Sequence, residues 1–256
     1  MIKHTNAYLV LRQHSQQMLD FAVLICTSVP QLRHAFREHS NDPSVFLAAN
    51  TAFRPSVVPY STEKRSINSY KRTLGANLLL SVFSYFETYF FTAIDELIEF
   101  HGGEDALIAM ATSQVMNKPI ASGNDEKNLK YLRTPFKNRK TDRYMKYSKA
   151  LRGKDVIWPT QRLVLYGVRQ LLENRKRWKS VKIPVLTRDL LTLDVDDGTE
   201  SKFHNLRGER NKIAHGKTLS YDLKKAIDAC MFFRQFARTV DEHICKNFLV
   251  MEKYIH

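Results

Sequence analysis

The chain has 256 residues, of which 40 are Lys or Arg and 26 are Asp or Glu, giving a formal net charge of +14. Hydrophobic residues make up 43% of the sequence and charged residues 26%, proportions that exclude an intrinsically disordered chain and a membrane-embedded one. The length is enough for one large domain or two small ones with a buried core. The excess of positive charge is therefore the feature that needs an explanation.

The positive charge is concentrated in one segment. Residues 127–182 contain 18 Lys and Arg but only three acidic residues, a net charge of +15. The other 200 residues contain 22 basic and 23 acidic side chains, which makes them nearly neutral. A field this concentrated favours a polyanionic partner, either nucleic acid or an anionic membrane surface. A solvated surface without a partner is the alternative interpretation.

The first 65 residues are predicted to form a helical extension followed by a loop. Apolar residues recur at spacings of three and four over residues 3–27, which indicates a helix, and Pro30 is expected to end it. A short second helical piece is predicted at residues 32–39. Residues 41–65 contain three prolines and many Ser, Thr and Asn, and are predicted to be an irregular connection.

Residues 66–116 are predicted to form core helices. A long helix is expected over residues 67–101, ending at Gly102 and Gly103, and a shorter one over residues 104–116. The long helix carries an apolar stripe at helical spacing, formed by Phe83, Phe86, Phe90, Ile94 and Leu97. Four acidic residues within residues 78–100 argue against a membrane span.

The remaining chain is predicted as a basic insert, residues 117–198, followed by two helices. Within the insert we expect a turn over residues 117–123, a helix over residues 162–178, and a short strand or extended connection over residues 182–197. The final helices are expected at residues 200–214 and 221–250, with Gly216 at the C′ position after the first of them. The predicted fold class is therefore all-α, a single helical domain over residues 1–256 with a basic, partly irregular insert.

Cysteine usage and the N-terminal sequence predict a cytoplasmic protein. Cys26, Cys230 and Cys245 form no CxxC pair, and Cys230 and Cys245 fall in an apolar helical pattern typical of small buried side chains. The N-terminal apolar stretch is interrupted by Arg12 and His14, unlike the core of a signal peptide. The sequence also contains no HExxH, P-loop, GxGxxG or GxSxG motif. We therefore expect no metal and no cofactor.

One motif carries recognisable chemistry. Residues 203–223 read FHNLRGERNKIAHGKTLSYDL and contain Arg210, a polar Asn211, and His215 five positions after the arginine, with Gly216 directly following. This string resembles the Rx4H signature of HEPN domains, an α-helical family found in metal-independent ribonucleases, toxins and anti-phage systems. Upstream, SVFSYFETYFFTAIDEL resembles the family's preceding helix. The resemblance covers residues 66–102 and 199–250, and we find none in the first 65 residues or in the basic insert.

The resemblance implies a metal-independent endoribonuclease that acts as a homodimer with a composite active site. RNA supplies its own nucleophile, the 2′-hydroxyl, so cleavage needs a group that moves protons near neutral pH and a fixed positive charge at the phosphate. Histidine, with an unperturbed pKa of about 6.5, and arginine meet these needs. We assign His215 as the general acid/base, Arg210 as the phosphate contact and Asn211 as the orienting hydrogen-bonder.

The spacing within the motif poses a geometric question. Five positions on an ideal α-helix correspond to about 140° of rotation, so Arg210 and His215 do not share a face, whereas Asn211 and His215 do. The length of the Arg210 side chain, together with local unwinding before Gly216, is expected to close the gap. The alternative is structural, with Arg210 interacting with the helix macrodipole and His215 serving as a helix-terminal cap.

Two further positions near the motif have open interpretations. Glu87 lies among aromatic residues of the long helix and is predicted to be part-buried, either orienting Arg210 or forming a structural ion pair with another base. Arg207 is predicted as a second phosphate contact or as a solvated surface residue. His204, six residues before Arg210, is interpreted as structural.

The basic insert also has two interpretations. Aromatic residues alternate with cations in it, a pattern that suits single-stranded RNA because bases stack while phosphates are neutralised. The predicted RNA-binding cations of the insert are Lys130, Arg133, Lys137, Arg139, Lys140 and Arg143. The alternative is a basic helical surface that faces a membrane or an acidic antitoxin.

Three functions are consistent with these patterns. The leading one is a HEPN endoribonuclease with a toxin or anti-phage (abortive infection) role, restrained by an antitoxin, a defence-complex partner or a trigger. The second is a non-catalytic HEPN module that binds RNA, a nucleotide or a partner protein. The third is a regulatory helical protein whose insert binds an acidic partner.

Overall fold

A computed structural model describes residues 3–38, 60–109 and 171–249. All regular secondary structure in these ranges is helical, which confirms the predicted all-α class. The α-helices with described ends are α1 (Asn6–Glu38), α2 (Tyr60–Phe100), α3 (Ile183–Asp189), α4 (Asp197–Ala214) and α5 (Leu223–Asn247). Residues 104–109 and 171–173 are also helical, and 3₁₀ turns lie at Arg175–Arg177 and Ser180–Lys182. No helix among these residues is long and apolar enough to cross a membrane.

The chain divides into two compact units. The first contains Met1–Val10, Phe86–Arg207 and Gln235–His256, and the second contains Leu11–Tyr85 and Gly208–Arg234. Helices α1, α2, α4 and α5 each contribute residues to both units. Each unit has its own buried side chains.

The first unit is built around the aromatic half of α2. Phe86, with no exposed surface, lies 5.4 Å from Phe236 of α5 and 6.2 Å from Phe203 of α4, measured between ring centroids. The Tyr89 hydroxyl donates to the Ala237 carbonyl at 3.0 Å, and burial is the main cause that raises the pKa of Tyr89 well above its usual value. Four members of the predicted apolar stripe, Phe86, Phe90, Ile94 and Leu97, are completely buried here, as the periodicity predicts.

The start of α1 belongs to this unit and is fixed by two carboxylates. Glu96 of α2 accepts hydrogen bonds from the backbone N–H groups of Asn6 and Ala7, at 3.0 and 2.7 Å. Asp241 of α5, completely buried, accepts from the backbone N–H and the hydroxyl of Thr5, at 3.1 and 2.6 Å. These bonds satisfy N–H groups that a helix start leaves unpaired, and they place negative charge at the positive end of the helix dipole.

The second unit has a smaller core. Its buried cluster consists of Ala22 of α1, Leu74 and Leu78 of α2, and Ala226 of α5. Partly buried hydrophobic side chains pack against this cluster, namely Met18, Ile25, Cys26, Tyr221 and Leu223. Further along α2, Phe83, the remaining member of the apolar stripe, is completely buried and packs edge-on against Phe233 with a centroid separation of 5.4 Å.

Two predicted helix boundaries near the N-terminus are wrong. Helix α1 continues through Pro30 to Glu38 instead of ending at the proline. The guanidinium of Arg33 donates to the Ile67 carbonyl at 3.0 Å, and this tertiary bond holds the turn that follows Pro30 and offsets part of the proline's cost. Helix α2 begins at Tyr60, so residues 60–65 are helical and not an irregular connection. Residues 39–59 lie outside the described ranges.

The prediction of a strand or extended connection over residues 182–197 is also wrong for its first half. Ser180–Lys182 is a 3₁₀ turn and α3 follows directly, with Pro184 in its first turn, where a proline loses no hydrogen bond. Residues 192–196 have no regular secondary structure. Ile183, Leu186, Leu190 and Leu191 are completely buried, so the described end of the basic insert forms part of the first unit's core.

Candidate functional site

The motif lies at the C-terminal end of α4, where the chain turns toward α5. The backbone N–H of Gly216 donates to Ile213 O at 3.0 Å, and that of Lys217 donates to Lys212 O at 2.9 Å. These two bonds define a Schellman motif, and Gly216 has the positive φ of 68° that its C′ position requires. The predicted role of Gly216 is confirmed, and His215 occupies the C-cap position before it.

Arg210 is part-buried against an aromatic ring. Its guanidinium carbon lies 5.4 Å from the centroid of the Phe83 ring, a cation–π geometry, and one terminal nitrogen donates to Asn211 Oδ1 at 3.2 Å. The buried Nε has no hydrogen-bond partner, and no carboxylate pairs with Arg210, within the part of the chain that the structure describes. An unsatisfied buried donor costs free energy, so this guanidinium is well placed to gain from an anionic oxygen.

His215 is exposed and lies in the turn directly after α4. Its N–H donates to Asn211 O at 3.0 Å, and α4 is regular up to Ala214, so the unwinding expected before Gly216 does not occur. Arg210 and His215 therefore remain about 140° apart around the helix. Asn211 connects the two positions, because its side chain accepts from Arg210 while its backbone accepts from His215. The imidazole makes no hydrogen bond to any described residue.

The turn after His215 is held against α2 by a close backbone approach. Tyr221 N–H donates to Arg72 O at 3.1 Å. A Cβ atom at Gly75 would collide with Tyr221 O and would lie 3.0 Å from Leu223 N. Gly75 therefore lets the segment before α5 lie directly on α2. Burial raises the pKa of the Tyr221 phenol, and the carboxylates of Glu209, Asp222 and Asp228 raise it further.

The comparison with protein families decides the classification. The profile of the family described as RiboL-PSP-HEPN matches residues 59–246. The chain belongs to the RiboL-PSP-HEPN family. Neither the comparison with curated proteins nor the comparison with solved structures gave a match.

The HEPN match extends the resemblance seen in the sequence. It runs without interruption from the start of α2 almost to the end of α5, so it includes the basic insert, in which the sequence analysis found no resemblance. HEPN domains are commonly ribonucleases, and the family supports a nuclease or RNA-related module. The match leaves α1 outside.

The structure places the other predicted HEPN residues as follows. Arg207 is part-buried in the first unit, where its Nε donates to the buried Ser180 hydroxyl at 3.4 Å. His204 Nε2 lies 3.8 Å from Oε1 of Glu200, which precedes His204 by one turn of α4. Glu87 is part-buried, as predicted, and belongs to the first unit, whereas Arg210 belongs to the second. The orienting role of Glu87 and the phosphate role of Arg207 stay predictions.

The RNA-binding cations predicted in the insert are not part of the described structure. Lys130, Arg133, Lys137, Arg139, Lys140 and Arg143 lie outside the described ranges, so their role stays a prediction. Within those ranges, no group of three His, Cys, Asp or Glu side chains is placed to hold a metal ion.

Sequence reasoning missed two residues that shape the site. Phe83 was assigned only to the apolar stripe, although its ring also contacts Arg210. Gly75 was not singled out, although an isolated glycine inside a helical pattern often marks a close backbone approach. That signal was present in the sequence, but the identity of the approaching segment, residues 221–223, was not.

Proposed function

We propose that this HEPN protein is a metal-independent endoribonuclease that cleaves RNA through the 2′-hydroxyl. The observation that carries the proposal is the arrangement at the end of α4. Arg210 lies on Phe83 and is hydrogen-bonded to Asn211, and an exposed His215 is fixed at the C-cap by the Schellman motif. The family match supports the same assignment.

The proposed reaction is an internal transesterification. The 2′-oxygen attacks the adjacent phosphorus and loses its proton, while the bond from phosphorus to the 5′-oxygen breaks and that oxygen gains a proton. The products are a 2′,3′-cyclic phosphate, or the 3′-phosphate after hydrolysis, and a 5′-hydroxyl. His215 moves one of these protons. Arg210 pairs with the non-bridging oxygens as charge develops on them, and Asn211 holds the guanidinium in place.

A homodimer supplies what one motif lacks. One chain offers one imidazole, whereas the reaction removes one proton and delivers another. Within one regular helix, Arg210 and His215 are also about 140° apart. Two motifs that meet at a shared cleft provide a second histidine and allow the arginine of one chain to act beside the histidine of the other. We therefore propose a composite site between two copies.

The biological role that fits such an enzyme is growth arrest in the cytoplasm by cutting cellular RNA, as a toxin or in abortive infection. An unrestrained ribonuclease harms its own cell, so we expect an antitoxin, a defence-complex partner or a trigger to control it. The second candidate function is a HEPN module that binds RNA, a nucleotide or a partner protein without cleavage. It is favoured by the exposed, unpartnered imidazole, which no described residue orients for catalysis.

Cleavage in the presence of EDTA tests the proposal. We expect the purified full-length protein to cut total RNA in EDTA and to leave termini that a 2′,3′-cyclic phosphodiesterase recognises. His215→Ala is expected to reduce the rate by at least about 100-fold, because it removes the general acid/base.

The matched control is His204→Ala, which removes another histidine of the same helix. It should leave cleavage within a few-fold of the wild type. Equal losses in the two variants would contradict the assignment of His215. Loss of cleavage in EDTA with full recovery on adding a divalent metal would contradict a metal-independent mechanism.

A further inference from the structure

The second unit is strongly cationic, although the chain outside residues 127–182 is nearly neutral. The described part of this unit contains 13 Lys and Arg against six Asp and Glu, a net charge of +7. The described part of the first unit contains 11 basic and 14 acidic residues. The described residues therefore divide into a unit with a positive net charge and a unit with a small negative one. The motif lies in the positive unit.

Some of these cations flank the turn that follows His215. The hydrogen bond from Tyr221 to Arg72 and the contact at Gly75 place residues 221–223 directly on the first half of α2. Cations from α2, from the turn and from the first turn of α5 therefore lie around one short segment. We call this set the motif-turn surface, and its members are Lys71, Arg72, Lys217, Lys224 and Lys225.

The cations of the motif-turn surface are unpaired within the described part of the chain. All five are exposed, and none forms an ion pair with a carboxylate among the residues that the structure describes. The acids closest to these cations are Glu209, Asp222 and Asp228, and none of them forms an ion pair with the five cations among the described residues. Glu209 pairs with Lys212 at 2.7 Å, and Asp222 Oδ1 accepts the backbone N–H of Lys225 at 2.9 Å.

Helix stability does not explain the charge. Lys224 and Lys225 lie in the first turn of α5, which has no acidic residue. Cations at this end of a helix are opposed by the macrodipole, and the N-terminus adds its own positive potential to theirs. Asp222, directly before α5, offsets part of this unfavourable term, but two lysines still stand at the positive end of the helix, a placement that favours an anionic ligand.

We propose that the motif-turn surface binds the sugar-phosphate backbone of the RNA strand beside the bond that His215 cleaves. This inference rests on the proposed ribonuclease function and extends it. It assigns RNA contacts to the unit that carries the motif, in addition to those predicted for the basic insert. Five exposed cations around one short segment suit a flexible single strand, whose phosphates can adjust to their positions. Each neutralised phosphate releases counterions, so binding becomes steeply dependent on salt.

Salt-dependent binding of an RNA that cannot be cleaved tests the inference separately from catalysis. The probe is a single-stranded 2′-O-methyl RNA, and the variant is Lys71→Gln/Arg72→Gln/Lys217→Gln in the full-length chain. The slope of log K against log salt is expected to decrease in magnitude by about 2, and the Kd at about 150 mM salt to increase roughly tenfold.

The control variant, Lys3→Gln/Arg12→Gln/Lys246→Gln, removes the same charge from exposed cations outside the motif-turn surface. Its slope should stay close to that of the wild type. Identical slopes in variant and control would overturn the inference even if the wild type cleaves RNA. Weaker RNA binding by the variant, in a protein that never cleaves, would support this surface and contradict the ribonuclease proposal. The inference would also be overturned if the triple variant bound RNA as tightly as the wild type but no longer bound an acidic protein that the wild type binds.

Discussion

Arg210 illustrates how the site depends on individual side chains. Its planar guanidinium faces the Phe83 ring and donates to Asn211 at the same time. A lysine ammonium carries the same charge but has neither the flat face nor the fork of donors. The proposed role of Arg210 therefore requires its shape as well as its charge.

Arg210→Lys is accordingly expected to lower kcat by about 100-fold, a loss comparable to removing one preorganised donor to a transition-state oxyanion. The native fold should persist, because the stem of the side chain still covers Phe83. Steady-state cleavage assays measure the change in kcat, and far-UV circular dichroism shows whether the helical fold persists. The reverse exchange, Lys212→Arg on the same helix, should leave kcat nearly unchanged. If Arg210→Lys also leaves kcat nearly unchanged, then only the charge of Arg210 matters, and its shape does not.

At the scale of elements, the position of the motif depends on how α2 meets the segment before α5. Gly75 is inside α2 and Gly208 is inside α4, and both are helical glycines that cost helix stability relative to alanine. Their surroundings differ. A Cβ at Gly75 would collide with the backbone of residues 221–223, whereas a Cβ at Gly208 would have no atom within 4 Å.

The two alanine substitutions are therefore expected to change stability in opposite directions. Gly208→Ala should raise the free energy of unfolding by about 0.5–1 kcal/mol through helix propensity. Gly75→Ala should lower it by about 1–3 kcal/mol, because backbone atoms must move to admit the methyl group. Urea unfolding at equilibrium measures both values. A stabilised Gly75→Ala protein would show that the turn after His215 does not lie on α2 as described.

The composite site belongs to the scale of the whole molecule. If the arginine of one copy acts beside the histidine of the other, then a heterodimer of two inactive chains holds one complete pair of Arg210 and His215, although it lacks the second histidine of the wild-type cleft and only partial recovery is expected. In a site made by one chain, such mixing restores nothing.

Mixing His215→Ala chains with Arg210→Ala chains is therefore expected to recover a measurable fraction of the wild-type rate, after subunits have been exchanged. Each variant alone should stay inactive. Size-exclusion chromatography with light scattering establishes that dimers form and exchange. Dimers that exchange freely but recover no cleavage would contradict a site in which the two chains contribute different groups.

Much of the fold follows from the sequence alone. The period of Phe83, Phe86 and Phe90 specifies the buried face of α2, because apolar side chains at this spacing lie on one side of any helix. Gly216 specifies the end of α4, because a left-handed C′ residue is a local property of the chain. The Rx4H motif and its flanking helices were sufficient to indicate the HEPN family.

Tertiary structure decided the features that depend on residues far apart in the chain. Helix α1 continues past Pro30, and Arg33 in the turn after the proline bonds to Ile67, a contact that local propensity does not contain. The cations of α2 and those of the turn after His215 are far apart in the sequence. They lie close together in the fold because the turn is hydrogen-bonded to α2 through Tyr221 and Arg72. Sequence determined which side chains each helix presents, whereas close packing between distant segments determined which of them meet.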